Sequence, residues 1–294
     1  MITRARDAVR HARRAMTERA RTIDGVLVPS FFYGTAWKEE RTAALVAKAL
    51  AAGFRAIDTA NQRKHYHEEG VGHALAETFG QGRSRDELFL QTKFTFLGGQ
   101  DHRLPYDPAA SIGAQVAQSF ASSLAHLGVT RLDSYVLHGP SQRRGLGSAD
   151  LEAWRAMEAR HDAGEVRSLG VSNVLPDQLE ALLRVARVRP TFVQNRCYAS
   201  LGWDREVRAV CAREGLVYQA FSLLTANDKI IRESVISDIA RRRARTPAQI
   251  VFAFAMQAGM IPLTGTSDPR HMEEDLAAHE VELGADELAA IERV

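Results

Sequence analysis

Five apolar runs in this chain each end in a side chain that can hold a proton, move one, or pair with a polar ligand. The stretch 53–72, GFRAIDTANQRKHYHEEGVG, opens with a short strand signal over 54–57 and breaks at Asp58. It leaves a lone tyrosine, Tyr66, in the loop that follows. Residues 88–93 form a second run, ending in Lys93, and 132–140 a third, carrying His138. Runs 169–173 and 192–195 end in Ser172-Asn173 and Gln194-Asn195. A carboxylate, a phenol, an ammonium and an imidazole are acid–base groups, and amides both donate and accept hydrogen bonds. In strand-then-helix proteins, side chains at the C-terminal ends of strands face the cleft where ligands bind. One aspartate at a strand end more often caps a turn; five such ends in series describe a site.

The elements that must position these groups alternate. Residues 27–35 read as a first strand, and 40–52 as a helix whose Leu45, Val46, Ala49 and Leu50 form one apolar stripe, stopped by Gly53. A helix over 69–79 follows the Asp58 strand. A long Gly- and Pro-rich connection, 94–110, follows Lys93; loops of this length in a compact domain are functional or disordered. Ile112, Val116, Phe120, Leu124 and Leu127 then share one helix face. A Gly-rich loop, 141–148, precedes a helix whose Trp154 and Met157 are expected in the core. Helices over 176–187 and 205–214, a strand over 216–222, a strand over 260–263 and a last helix over 286–294 complete the series. Thr246-Pro247-Ala248-Gln249 is a helix start, with Thr246 as N-cap and Gln249 closing a capping box.

At 294 residues, 45% hydrophobic and 25% charged, the chain has the composition of a soluble globular protein with an ample core. No run approaches the roughly 20 apolar residues that span a bilayer, so no membrane partner is expected. Two cysteines, Cys197 and Cys211, make a disulfide scaffold implausible and fit a reducing compartment, the cytoplasm by default. Residues 1–22 carry seven arginines against Asp7 and Glu18, a net of +5 in a chain whose total is +2. Residues 1–24 therefore read as a basic N-terminal extension, flexible or helical, and 25–294 as the folded domain. No aromatic residue interleaves with those arginines, so nucleic acid is not expected as a partner. The stretch lacks the apolar core of a signal peptide and is closer in look to an organelle transit peptide.

The motifs GFRAIDTA, TKF, SSLAHLG with LDSYVLHGP, WRAMEARHDAGEVRSLGVSN, and TPAQIVFAFA before GMIPLTGT together resemble the aldo-keto reductases, from about Pro29 to the C-terminus. The resemblance implies an α/β fold, a (β/α)8 TIM barrel as a single domain, working as a monomer. It also implies a nicotinamide cofactor and reduction of an aldehyde or ketone. It makes Asp58, Tyr66, Lys93 and His138 the catalytic tetrad. In that scheme Tyr66 is the acid, Lys93 lowers its pKa from the ordinary value of about 10, Asp58 holds Lys93, and His138 orients the carbonyl oxygen. The family's tyrosine usually follows the aspartate by five residues; here position 63 is arginine and Tyr66 stands eight after Asp58. His65 and His67 flank it as fallback proton donors, with Lys64 adding positive charge.

By the same resemblance Ser172, Asn173 and Gln194 hold the nicotinamide carboxamide, and Phe221 stacks on its ring where the family has tyrosine. Ser222 and Leu224 line the pyrophosphate side, with Gly34, Thr35, Thr264, Thr266 and Asp275 completing the cofactor-binding set. The family's Pro-Lys-Ser for the 2′-phosphate reads Pro262-Leu263-Thr264 here, leaving Arg270 and His271 to meet it. NADPH is expected, with NADH the alternative. With only a short helix expected after 286, the long C-terminal loop of many members is not expected, and an open pocket is, its selectivity left to the 94–110 and 139–148 loops and to Trp37. The rival reading is a nucleotide-binding regulatory barrel with little turnover, kept open by the displaced tyrosine. An unrelated barrel isomerase would need a glycine-rich phosphate site after its late strands, which Gly265 alone does not provide.

Overall fold

Strand side chains alternate faces, and in this chain the alternation sorts them into two cores. The computed structural model describes residues 20–23, 26–233 and 235–294. Strands β1 (Ala20–Ile23) and β2 (Val26–Pro29) form an antiparallel hairpin. The next eight are β3 (Phe32–Gly34), β4 (Ala56–Asp58), β5 (Phe89–Phe94), β6 (Leu132–Leu137), β7 (Val166–Ser172), β8 (Phe192–Arg196), β9 (Val217–Phe221) and β10 (Ile261–Thr264). All eight pair in parallel with their sequence neighbours, and β10 closes on β3 to make a barrel. This is the expected (β/α)8 architecture.

Eleven α-helices are present among the described residues. They are α1 (Thr42–Ala52), α2 (Glu68–Gly80), α3 (Ile112–Leu127), α4 (Ser148–Asp162), α5 (Pro176–Val185) and α6 (Arg205–Glu214), then α7 (Asp228–Glu233), α8 (Val235–Arg243), α9 (Pro247–Gln257), α10 (Pro269–Leu276) and α11 (Ala285–Glu292). The capping box at Thr246 and Gln249 forms as expected. Gly72 lets α2 approach α3: a Cβ there would lie 1.9 Å from the His126 carbonyl oxygen.

Phe32, Ala56, Phe89, Phe192, Val217, Ile261 and Leu263 fill the barrel interior, with Val28 against them. Their strand neighbours Tyr33, Ile57, Leu90, Leu169, Val193 and Tyr218 face outward and meet the helices, where Trp154 and Met157 are fully buried. Each such aromatic or aliphatic side chain contributes roughly 1.5–3 kcal/mol by leaving water.

The single first strand expected over 27–35 is instead two. Pro29, with no N–H to donate, ends the hairpin, and Phe31 turns into the outer shell against Phe54 and Phe252, at ring-centre distances of 5.5 and 4.9 Å. Of the basic extension expected over 1–24, residues 1–19 and 24 lie outside the described residues, and 20–23 are β1. Cys197 and Cys211 are free and buried. Among the described residues no helix is long and apolar enough to cross a membrane.

Candidate active site

Above the apolar plug the barrel interior turns polar. The register sets Asp58 beside Gln91 and Gln194 beside Gln219. Asp58 Oδ1 accepts from Gln91 Nε2 at 2.7 Å and Gln194 Nε2 at 3.0 Å, and both amides also donate to Gln219 Oε1. Gln219 Nε2 returns a bond to Gln91 Oε1 at 3.2 Å. Two residues further along β5, fully buried Lys93 donates to Asp58 Oδ2 at 2.6 Å and to the Thr59 carbonyl at 2.8 Å. Burial draws the Lys93 pKa below its ordinary value, against the upward pull of Asp58.

The extra residues before Tyr66 curl into a turn. The His65 and Tyr66 N–H groups both donate to the Gln62 carbonyl, at 3.0 and 2.9 Å, while Lys64 is exposed. The turn brings the Tyr66 ring centre to 5.2 Å from Lys93 Nζ and sets it edge-on to the His138 ring at 5.9 Å. His65 stacks on Trp37 with ring centres 4.0 Å apart. His67 lies at the start of α2, with Nδ1 3.2 Å from the Glu39 carbonyl oxygen. The turn thus absorbs the longer spacing.

The electrostatics correct one expectation. Lys93 was to lower the Tyr66 pKa, but burial first and then the Asp58 carboxylate push that phenol above its ordinary value. The cation that pulls it down is Arg196. Lys93 is held on Asp58 at 2.6 Å. His138 is pushed well below its ordinary pKa by burial, then by Lys93 and His65, and is therefore neutral near pH 7.

A cavity of about 740 Å³ opens over these groups. Asp58, Tyr66 and His138 line it, together with Gly34, Trp37, Ser172, Asn173, Gln194, Phe221, Ser222, Leu224, Thr264 and Thr266. Trp37, Asn173 and Ser222 hold φ of 61°, 54° and 57°, three of the seven non-glycine residues in the left-handed region among those described. Such strain gathers at functional sites. A second cavity, of about 380 Å³ near Arg55, Asp133 and Glu280, contains none of the candidate residues.

The donor set at the cavity floor fits an amide-bearing ligand. Asn173 Nδ2 donates to the His138 carbonyl at 2.8 Å and to Ser172 Oγ at 3.1 Å, and Ser172 Oγ donates to the Gln194 carbonyl at 2.6 Å. With Gln194 Nε2 held by Asp58 and Gln219, the amide oxygens of Asn173 and Gln194 have no hydrogen-bond partner among the described residues. Two acceptors are thereby left for the N–H groups of a carboxamide, and Phe221 offers an aromatic face beside them.

Other expected residues lie elsewhere. Thr35 is buried, its hydroxyl on the Asp58 carbonyl. Asp275 is buried beneath the wall, accepting from Thr264 Oγ1 at 2.8 Å, and burial pushes its carboxyl up to about 6. It bonds to Thr264, which lines the cavity, and does not line the cavity itself. Arg270 and His271 are exposed in the first turn of α10, 3.2 Å apart, with Glu274 3.8 Å from Arg270. The sequence reading missed Gln91 and Gln219, whose signal was a polar residue inside an apolar strand run. It missed Thr95 and Arg196, each two residues past a singled-out strand position. Arg196 lines the cavity with its guanidinium 5.5 Å from the Phe221 ring centre and no carboxylate partner among the described residues. It also missed Lys38, which lines the cavity and donates to the Gly265 carbonyl.

Known proteins resemble this chain in sequence and in fold. The model of the Aldo/keto reductase family matches residues 31–294. An aldo-keto reductase of Mycolicibacterium vanbaalenii is 31% identical over 248 residues, 84% of this chain and 81% of its own. The methylglyoxal reductase DkgA of Yersinia pestis is 30% identical over 274 residues, 92% of this chain and 90% of its own. Among solved structures, an aldo/keto reductase from Brucella melitensis is similar with a TM-score of 0.79 and 27% identity, over 93% of this chain and 98% of that one.

Proposed function

The chain belongs to the aldo/keto reductase family, and from that premise we propose that it reduces an aldehyde or ketone to an alcohol with NADPH, Tyr66 giving the proton. One observation carries the reading. A phenol stands 5.2 Å from a buried ammonium and edge-on to a neutral imidazole, on the wall of a cavity about 740 Å³ in volume.

A bound reduced nicotinamide supplies a hydride. The residues of this chain manage the oxygen that turns negative when the hydride adds to carbon. Tyr66 keeps its proton through the neutral range because burial opposes the phenolate, so it arrives as an acid. An alkoxide is a stronger base than a phenolate, and transfer from Tyr66 is downhill once the charge has formed. His138, uncharged, offers a hydrogen bond to the same oxygen. The Asp58–Lys93 pair sits beneath Tyr66 and, with Gln91 and Gln219, keeps the floor rigid. Asn173 and Gln194 would hold the carboxamide, Phe221 its ring, and Arg270 with His271 the 2′-phosphate.

The test is a parallel titration with NADPH and NADH, followed by quenching of tryptophan fluorescence. Carbonyl-dependent oxidation of the bound cofactor is then measured. The methylglyoxal reductase relative makes small 2-oxo aldehydes the first substrates to try. Tyr66→Phe should lower the rate by about 10²–10⁴-fold with cofactor binding retained. Undiminished turnover in that variant would move the proton donor to His65 or water. A folded protein that binds neither nucleotide would leave the family's scaffold without its activity.

A further inference from the structure

A neutral imidazole has one donor nitrogen and one acceptor nitrogen, and its tautomer decides which of them a substrate meets. His138 Nδ1 lies 2.7 Å from Thr95 Oγ1. Thr95 is buried just beyond the end of β5 and is tied down on its backbone. Its carbonyl accepts from the Tyr106 hydroxyl at 2.8 Å and from Gln100 Nε2 at 3.3 Å. His138 is tied as well, its N–H donating to the Phe94 carbonyl at 2.9 Å. The hydroxyl and the ring are thus held face to face by the fold.

Among the described residues His138 Nδ1 is the only hydrogen-bond partner of the Thr95 hydroxyl. Were Nδ1 the protonated nitrogen, the hydroxyl would have to accept, and its own proton would have no protein acceptor, only what fills the cavity that Thr95 also lines. With Thr95 donating, Nδ1 accepts and the ring proton sits on Nε2. His138 lines the cavity, and with Nδ1 engaged by Thr95, Nε2 is the nitrogen left for a ligand. A bare Nε2 would set one acceptor against another at a carbonyl oxygen; Nε2–H gives a donor.

We propose that Thr95 is a positioning residue that fixes His138 as the Nε2–H tautomer, making the imidazole a standing hydrogen-bond donor to the substrate's carbonyl oxygen. The part played toward substrate rests on the reductase reading; the tautomer does not. Tyr66 O–H and His138 Nε2–H then form a two-donor clamp on one oxygen, in which Tyr66 gives up its proton and His138 keeps its own.

The experiment is two-bond ¹H–¹⁵N correlation on the full chain labelled at histidine nitrogen, near neutral pH, with His138 assigned by its loss in His138→Gln. The expected wild-type pattern is Nε2 protonated and Nδ1 bare. Thr95→Val should mix the tautomers and lower kcat by roughly tenfold, leaving the NADPH Kd unchanged, and Thr95→Ser should restore both. A wild-type Nδ1–H pattern would overturn the assignment, as would an unchanged pattern in Thr95→Val. Should Thr95→Val fail to fold, the wild-type pattern and Thr95→Ser still decide. The expected tautomer in a protein that reduces no carbonyl would sink the reductase reading and leave the role of Thr95 standing.

Discussion

Asp58 and Glu68 are both nearly inaccessible, at 3% and 2% exposure, and both are wrapped in polar side chains. Around Asp58 the partners are Lys93, Gln91 and Gln194, inside the barrel. Around Glu68 they are Thr92, Ser123 and His126, between α2, α3 and the outer face of β5. Thr92 and Lys93 are consecutive residues of β5, and they serve different clusters because strand side chains alternate faces. Asp58 lies under the 740 Å³ cavity beside Tyr66 and His138. Glu68 borders a smaller cavity, of about 210 Å³, with both oxygens already bonded to protein donors. A buried, well-satisfied carboxylate is therefore no mark of chemistry by itself. What separates the two is a fully buried ammonium, Lys93, on one oxygen of Asp58 and a much larger cavity above it.

Substitution should break the pair apart. Asp58→Asn leaves Lys93 buried without its counter-charge, so unfolding free energy should fall by about 3–5 kcal/mol. Carbonyl reduction in the folded fraction should fall by at least ~100-fold. Normal turnover in Asp58→Asn would remove the ion pair from the mechanism. Glu68→Gln should cost about 1–3 kcal/mol in a urea titration and leave kcat near wild type; a parallel collapse of kcat would erase the contrast.

A smaller effect concerns pH. Glu68 raises the His126 pKa above its ordinary value, against the opposing pull of burial. The folded state therefore holds that proton to higher pH than the unfolded chain. The stabilisation is complete below the unfolded value of about 6.5 and is lost as pH rises through the higher folded one. His126 is partly exposed, so the change should stay below about 1 kcal/mol. It should appear as a urea midpoint that falls between mildly acidic and alkaline buffer in wild type and stays flatter in His126→Gln. Smallest of all, Arg270→Ala should weaken NADPH by roughly threefold and leave NADH unchanged, since the side chain is exposed. Equal weakening of both would take Arg270 out of 2′-phosphate recognition.

Much of this was legible in advance. Asp58, Lys93 and His138 stood at strand ends in a chain whose strands and helices alternate, and the cavity lies over those ends. Phe221, Ser172, Asn173 and Gln194 line the same space. Arg270, His271 and Asp275 are where local reading was weakest. Whether a helix-start residue or a buried acid reaches a ligand depends on the height and tilt of its element, which no spacing encodes. Of the hairpin, 27–29 was read as part of a longer strand because apolar residues continue past Pro29, and 20–23 as part of the basic extension.

By itself the sequence determined the alternation of strands and helices and which acid–base groups stand at strand ends, which follow from periodicities of two and 3.6 and from local stop signals. The closed barrel was implied by the family resemblance of its motifs. Only the tertiary structure decided that Tyr66, displaced by extra residues, still meets Lys93 and His138. It also decided that Gln91 and Gln219, 128 residues apart, and Gln194, 136 residues from Asp58, close one network. The same holds for the Tyr66 phenol being raised by burial with its ammonium neighbour already paired. Proton affinities and amide networks depend on which groups come within about 3 Å and how much water is excluded. Strand register and barrel curvature set both across the whole chain.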